Sequence, residues 1–283
     1  ARSRPMPLVD THAAYTEAWE CDYNAHLNVQ FYFKRFQEAA AAHHALAGRT
    51  PSRLRARHVR YHREQRLDSA AITASGLVTE GPFAGRVLHV MRESPGGALV
   101  ATALDTWDDP KGLPGEASAE DLAPAAPRGV SPDPAPPVDA RDLLARGKAV
   151  VSDVSVADPA MFDAAGGYLP HHVVGRFSNA GAHLWNFAGV TTEWLAERNL
   201  GRVAVETKLD LVAPIRPGAV LRLISWLPDL AEKTLMLAHQ LEDLSTGEAV
   251  ARGEVRALLM DLSARRATAI PAELREAHET IRP

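Results

Sequence analysis

The sequence predicts an α+β protein of two tandem domains, each an antiparallel sheet wrapped around one long helix. Three observations predict it. The chain has 283 residues, beyond the usual single-domain range of ~100–150. A proline-dense stretch lies near its middle, and the same order of strand and helix signals stands on either side of that stretch.

In the first half a strand-like run, Ala13–Glu20, leads through a polar turn to Ala25-His26-Leu27 and a helix extending to about Gly48. Within it Val29, Phe33, Phe36 and Ala40 stand at spacings of four, three and four, the apolar stripe of a core-facing helix. Strands Arg86–Arg92 and Ala98–Trp107 then flank Ser94-Pro95-Gly96-Gly97. From Asp108 to Pro137 the proline density removes backbone donors and forbids helix and central strand, so the stretch reads as a linker or a surface-hugging connection. This sets domain one at 1–136 and domain two at 137–283.

The second half repeats the order. His172–Phe177 reads as strand, Ala182-His183-Leu184 opens a helix, and Asn199-Leu200-Gly201 closes it. Val203–Val212 and Val220–Trp226 are β-rich, and Thr234–Glu242 with Glu248–Met260 flank a turn at Asp243–Gly247. An antiparallel sheet with one apolar face covers a single helix in each half.

The net charge is −4 with both signs interspersed, which leaves no broad cationic field and excludes nucleic acid and anionic membrane surfaces as partners. One cysteine, Cys21, allows no intrachain disulfide. Ala1–Pro7 lacks the apolar stretch of a signal peptide, and no run of ~18 apolar residues occurs. A soluble, cytoplasmic protein is expected.

The informative motif is Glu20-Cys21-Asp22-Tyr23-Asn24-Ala25-His26-Leu27-Asn28-Val29-Gln30-Phe31-Tyr32, or D-x-N-x-H-x-N-x-x-x-Y, at the junction of strand and amphipathic helix. It resembles the hot-dog thioesterases of the 4-hydroxybenzoyl-CoA thioesterase-like and acyl-CoA thioesterase superfamily, whose signature is close to D-x-x-G-H-x-N-x-x-x-Y. Tyr61–Leu67 and Leu211–Gly218 are similar to that family's second strand. The resemblance implies two tandem hot-dog domains, a double hot dog that hydrolyses an acyl-CoA. Ala25 stands where the family has glycine. Setting His183 on His26 puts Asn179 at the place of Asp22 and Trp185 at that of Asn28, so the second half is expected to keep the fold and lose the acid. One asymmetric site, formed by the first half against the second, is then implied.

Thioester hydrolysis needs an activated water or a carboxylate nucleophile, and a donor for the carbonyl oxygen. Asp22 is the candidate base or nucleophile. Helix N-terminal N–H groups have no internal acceptor and can hold the oxyanion, a contribution of ~3–4 kcal/mol per donor. The resemblance places that donor at the Val29 backbone N–H. His26 and Asn28 are candidates for positioning Asp22, the water or the thioester, with Asn24 a further candidate. Set against these roles, Asp22 and Asn28 also suit plain turn and N-cap positions.

Cys21 alternates in direction with Asp22 along an extended segment, which favours a structural thiol over a nucleophile. The chain has no G-x-S-x-G, G-x-G-x-x-G or P-loop pattern. His58 and His62 sit in a strand entry without a third ligand, so no metal is expected. The pairs His43-His44 and His171-His172 read as solvated. Arg63, Arg66, Arg86 and Arg92 fit either CoA phosphates or solvated strand faces. Trp185, Phe187 and Trp194 read as core aromatics that could also border an acyl pocket.

No cofactor is expected beyond the CoA of the substrate. The partners expected are the acyl-CoA and further copies of the double hot-dog unit, as a homo-oligomer joined through sheet edges. Two alternatives stay open: a hot-dog enoyl-CoA hydratase or 3-hydroxyacyl thioester dehydratase, and a non-catalytic acyl-CoA-binding module.

Overall fold

The structure, a computed structural model, describes residues 7–22 and 25–283. The chain divides into two compact units, Ala1–Arg128 and Gly129–Pro283. The division falls after Arg128 because the proline-rich segment beyond it is tied into the second unit. The Gly129 and Ala135 N–H groups donate to Glu206 and Asp210 at 2.6 and 2.8 Å, and Lys208 Nζ donates to the Asp133 carbonyl at 2.7 Å.

The first unit runs β1 (Val9–Tyr15), α1 (Val29–Leu46), β2 (Leu54–Tyr61), β3 (Ala70–Leu77), β4 (Val87–Ser94), β5 (Leu99–Trp107) and the short α2 (Ala119–Leu122). Its strands pair antiparallel in the order β1-β3-β4-β5-β2. Helix α1 packs on β1, β3 and β4 through Tyr32, Phe33, Phe36, Ala39 and Ala40. The helix that follows Ala25-His26-Leu27 begins at Val29 because the Asn28 side chain caps it, accepting the Gln30 N–H at 3.0 Å. The expected strand to Glu20 stops at Tyr15, and Ala18–Glu20 is a 3-10 turn.

His43 and His44 are corrected from solvated to buried. They continue the helical stripe at the spacing of Phe36 and Ala40, and their rings bond to the Pro114 and Ala40 carbonyls at 2.6 and 2.9 Å. The segment after β5 covers the other side of the sheet, where Ala117, Leu122 and Ala125 pack on Leu88, Val90 and Leu104. Gly115 (φ 78°) makes that approach possible, because a Cβ there would meet the Ser75 carbonyl oxygen at 2.9 Å.

The second unit runs α3 (Ala140–Ala145), β6 (Val150–Val156), α4 (Pro170–Phe187), α5 (Thr192–Glu197), β7 (Leu200–Leu211), β8 (Val220–Leu230), β9 (Thr234–Asp243), β10 (Ala249–Asp261), β11 (Arg266–Ala267) and α6 (Ala272–Ile281). The order β7-β10-β9-β8-β6 is antiparallel throughout, with β11 added on β10. Here the expected elements need correction. His172–Phe177 is helix, not strand, and the long helix begins at Pro170, well before Ala182. Proline at the first helical position is pre-organised for the start, and Val173, Phe177, Ala180 and Leu184 form a buried stripe at spacings of four, three and four. The β-branched pair Val173-Val174 concealed that period. His171 is buried and His172 half-buried, which corrects the second solvated pair. Trp185, Phe187 and Trp194 belong to the core around Leu184, Leu195 and Leu259.

Both interiors carry one polar motif. In the first unit Thr11 Oγ1, Ser75 Oγ and His89 Nδ1 are linked at 2.7 and 2.6 Å; in the second, Ser152 Oγ, Ser225 Oγ and His239 Nδ1 are linked at 2.6 and 2.7 Å. Burial pushes His239 down to about 3, from an ordinary 6.5. A histidine held neutral by the fold contributes stability that is complete above pH 6.5 and is lost as pH falls from there towards 3. His43, pushed down to about 4 chiefly by burial, adds a contribution of the same sign. Thermal unfolding between pH 7.5 and 4.5 is therefore expected to show a falling Tm, with a shallower slope in His239→Gln. An identical slope in that variant removes His239 as the cause.

No described helix is long and apolar enough to cross a bilayer.

Candidate active site

Between β1 and α1 the chain makes a closed turn around Asp22. The Asp22 N–H donates to the His26 carbonyl at 2.8 Å, and the Ala25 N–H donates to the Asp22 carbonyl at 3.0 Å. The carboxylate Oδ1 accepts the His26 N–H at 3.2 Å. Ala25 takes φ 57°, the left-handed conformation that a glycine would adopt more cheaply. A bridge between Cys21 and Leu27 closes the turn, and the Asn28 N–H donates to the Glu20 carbonyl at 2.9 Å. Asp22, His26, Asn28 and Val29 are thus gathered where the N–H groups of α1 open. Asn24, with Tyr23, lies outside the described residues.

Glu64, from the segment after β2, completes the cluster. Its Oε2 stands 3.4 Å from His26 Nε2 and 3.8 Å from the Arg66 guanidinium. The pairing that brings it there is local to the backbone: His26 bridges Arg66, and the Leu27 N–H donates to the Gln65 carbonyl at 2.7 Å. A carboxylate on one ring nitrogen orients a histidine. Glu64 falls within Tyr61–Leu67, far along the chain from the motif, so no local spacing in the sequence joins it to Asp22.

The tyrosine that ends the motif, Tyr32, is buried; its hydroxyl accepts the Gln65 N–H at 3.1 Å. Burial pushes that phenol up to about 12, so Tyr32 stays protonated and serves as a fixed dipole. Cys21 donates its thiol to the Glu17 carbonyl at 3.4 Å. Burial, then the charges of Asp22 and Glu20, raise the thiol's pKa, which disfavours a thiolate nucleophile. His62 lies on Thr102 Oγ1 at 3.4 Å and is pushed down to about 4 by burial and then by Arg60 and Arg128. Among the described residues no group of three or more His, Cys, Asp or Glu could hold a metal ion. Arg63 pairs with Glu93 at 3.5 Å and Arg86 lies over the Phe83 ring.

The second unit requires a different register from the one centred on His183. His183 and Asn179 lie inside α4, so Asn179 is not the counterpart of Asp22. That counterpart is Asp163, at a constant offset of 141 residues (163 against 22, 176 against 35). The Asp163 N–H donates to the Gly167 carbonyl at 2.8 Å, the Gly166 N–H to the Asp163 carbonyl at 3.0 Å, and the Gly167 N–H to Asp163 Oδ1 at 2.8 Å. Gly166 takes φ 82°, and Phe162 bridges Tyr168. The acid turn is therefore present twice.

What surrounds the second acid differs. Gly167 stands at the place of His26, Leu169 at that of Asn28, and Pro170, which has no N–H, at that of Val29. Oδ1 of Asp163 also takes the Ala165 N–H at 2.9 Å, so this carboxylate is occupied with its own turn. The second half lacks the histidine, the cap and the donor, not the acid.

Residues 161–278 match the family model described as the thioesterase-like superfamily, beginning just ahead of Asp163. Three solved structures are similar over most of the chain. A putative oleoyl thioesterase from Lactobacillus plantarum has a TM-score of 0.61 at 12% identity, covering 89% of this chain and 96% of that one. An acyl-ACP thioesterase from Bacteroides thetaiotaomicron has a TM-score of 0.57 at 11% identity, with 88% and 96% covered. The 12:0-ACP thioesterase from Umbellularia californica has a TM-score of 0.56 at 13% identity, with 88% and 93% covered. No curated protein matches the chain. At these identities the structures show a shared fold, and the likeness to hot-dog thioesterases read from the motif holds at that level.

Proposed function

We propose that this chain is a thioesterase of two tandem hot-dog domains that hydrolyses an acyl-CoA at a centre built on Asp22. The observation that carries the reading is the contrast between the two acid turns. Only the first combines a carboxylate, a histidine paired with Glu64, a capping asparagine and a donating first helical residue.

In the proposed reaction Asp22 either takes a proton from the attacking water or attacks the thioester carbon itself. The carbonyl oxygen gathers negative charge and is met by the Val29 N–H at the positive end of α1. The carbon–sulfur bond then breaks and CoA leaves as a thiolate, which needs no strong acid; where Asp22 is the nucleophile, a water then cleaves the acyl anhydride formed on it, releasing the acid and restoring the carboxylate. His26, oriented by Glu64, and Asn28 position the water or the thioester. The reaction as drawn calls for no metal and no cofactor beyond the CoA of the substrate.

A carrier-protein thioester is a second reading, supported by the two acyl-ACP thioesterases among the similar structures. The test offers purified protein a panel of acyl-CoAs and acyl carrier proteins while free thiol is followed. Thiol release from acyl-CoA supports the proposal, and release from the carrier protein alone moves the substrate to the second reading. Enoyl-CoA absorbance changing without thiol release replaces hydrolysis with hydration, and tight binding without turnover replaces catalysis with a binding role.

A further inference from the structure

We propose that Arg35 is the positioning residue of the acid turn: its guanidinium straps the chain that precedes Asp22 onto α1 and so sets where the carboxylate stands at the helix mouth. The inference rests on the reading of Asp22 as the reactive group.

Arg35 lies one turn of α1 beyond Tyr32 and two beyond Asn28, on the same side of the helix. It is 2% exposed. Its Nη2 donates to the Tyr15 carbonyl at 3.0 Å, to Thr16 Oγ1 at 3.3 Å and to Glu20 Oε2 at 3.0 Å. These three acceptors are the end of β1, the residue after it and the last residue of the 3-10 turn. Glu20 is strapped twice, because its carbonyl also takes the Asn28 N–H at 2.9 Å. Asp22 follows two residues later, so a shift of this strap displaces the acid relative to Val29.

The twin unit shows which part of the arrangement is scaffold. Arg176, at the matching position of α4, donates to the Val156 carbonyl at 3.2 Å, the counterpart of the Tyr15 contact. It also meets Asp153 at 2.9 Å, and its Nε and Nη2 reach the Tyr168 hydroxyl at 3.3 and 3.2 Å. Arg35 has leucine, Leu27, where Arg176 has Tyr168, and its Nε and Nη1 are buried with no hydrogen-bond partner among the described residues. Buried guanidinium N–H groups normally find acceptors. In the first unit two guanidinium nitrogens of Arg35 find none among the described residues, at the place where the acid is held. Local rules broken at one copy of a repeat and kept at the other mark the copy that works.

The test compares three variants of the full chain. Arg35→Met is expected to lower kcat by on the order of 10²-fold with KM within about threefold, since misplacement of a reacting group acts on the chemical step. Arg35→Lys, which keeps the charge and can reach Glu20, is expected to recover part of that loss. Arg176→Met is expected to lower Tm and leave kcat within about twofold. Amide hydrogen exchange supplies a readout that needs no substrate. Exchange at Ala25, His26 and Asn28 is expected to quicken by about tenfold in Arg35→Met and to stay unchanged in Arg176→Met.

Wild-type kcat in Arg35→Met together with unchanged exchange overturns the proposal, as do equal losses of kcat in Arg35→Met and Arg176→Met. Should Arg35→Met fail to fold, the lysine variant carries the comparison. An Asp22→Asn protein with full activity sinks the reading of Asp22 instead, and the exchange data then decide the strap by themselves.

Discussion

Asp22→Asn is expected to abolish most thiol release, lowering kcat by about 10²- to 10⁴-fold, the range for removing a positioned general base. The fold is expected to survive it. Asparagine keeps an Oδ1 that can accept the His26 N–H, and the bonds from the Asp22 N–H to the His26 carbonyl and from the Ala25 N–H to the Asp22 carbonyl are backbone to backbone. A Tm close to wild type with lost turnover therefore separates chemistry from stability. Asp163→Asn is the matched control, because it makes the same change in the same turn where Pro170 and Gly167 replace the donor and the histidine. Its kcat is expected within about twofold of wild type, as for independent sites. Loss of turnover in Asp163→Asn comparable to that in Asp22→Asn would show two working acids and refute the asymmetric reading.

The largest stability effect is expected at Asp105. In the first unit Arg57 and Asp105 are cross-strand partners on β2 and β5, and both side chains are fully buried. Arg57 Nε and Nη2 donate to the two carboxylate oxygens at 2.7 and 2.6 Å, while its Nη1 and Nη2 donate to the Phe33 and Phe36 carbonyls of α1 at 3.1 and 3.3 Å. His89 Nε2 stands 3.3 Å from Asp105, and its Nδ1 stands 2.6 Å from the Ser75 hydroxyl. Burial alone would raise the Asp105 carboxyl, yet the Arg57 guanidinium, followed by His89, holds it well below the usual carboxylate range. A lowered carboxyl contributes stability that is present above its ordinary value near 3.8 and lost only in stronger acid.

Asp105→Ala leaves Arg57 charged and unpaired in the interior, at a cost of about 3–5 kcal/mol. Chemical denaturation is expected to show that loss. The second unit indicates the remedy. Its cross-strand partners at the matching places are Thr207 and Val255, with no ion pair. The double change Arg57→Thr with Asp105→Val is therefore expected to cost less than Asp105→Ala alone, since removing both charges leaves none stranded. A double variant less stable than Asp105→Ala would show that the pair contributes packing rather than charge balance.

Much of the acid turn was legible in the sequence because its contacts are local. Asp22, His26, Asn28 and Val29 fall within eight consecutive residues of one turn and one helix cap, and spacing alone predicts their proximity. Glu64 was not legible as a site residue, since it reaches His26 through the pairing of the segment after β2. The second half was misaligned for a different reason. His183 offered a chemical match, but the register follows the helix start and the left-handed turn, and those are Pro170 and Gly166. The signal was available: an aspartate three residues before a glycine, with a proline opening an apolar stripe. Val173-Val174 obscured it by resembling strand.

By itself the sequence determined the duplicated order of elements, the hairpin positions and the acid motif, because periodicity, turns and caps act over a few residues. Only the tertiary structure decided that the acid turn occurs twice, that Glu64 joins the first copy, and that Arg57, Asp105 and His89 meet in one core and not in the other. Those arrangements bring together side chains from separate strands. Long-range pairing is set by burial and register summed over whole elements, and no short window of residues contains that sum.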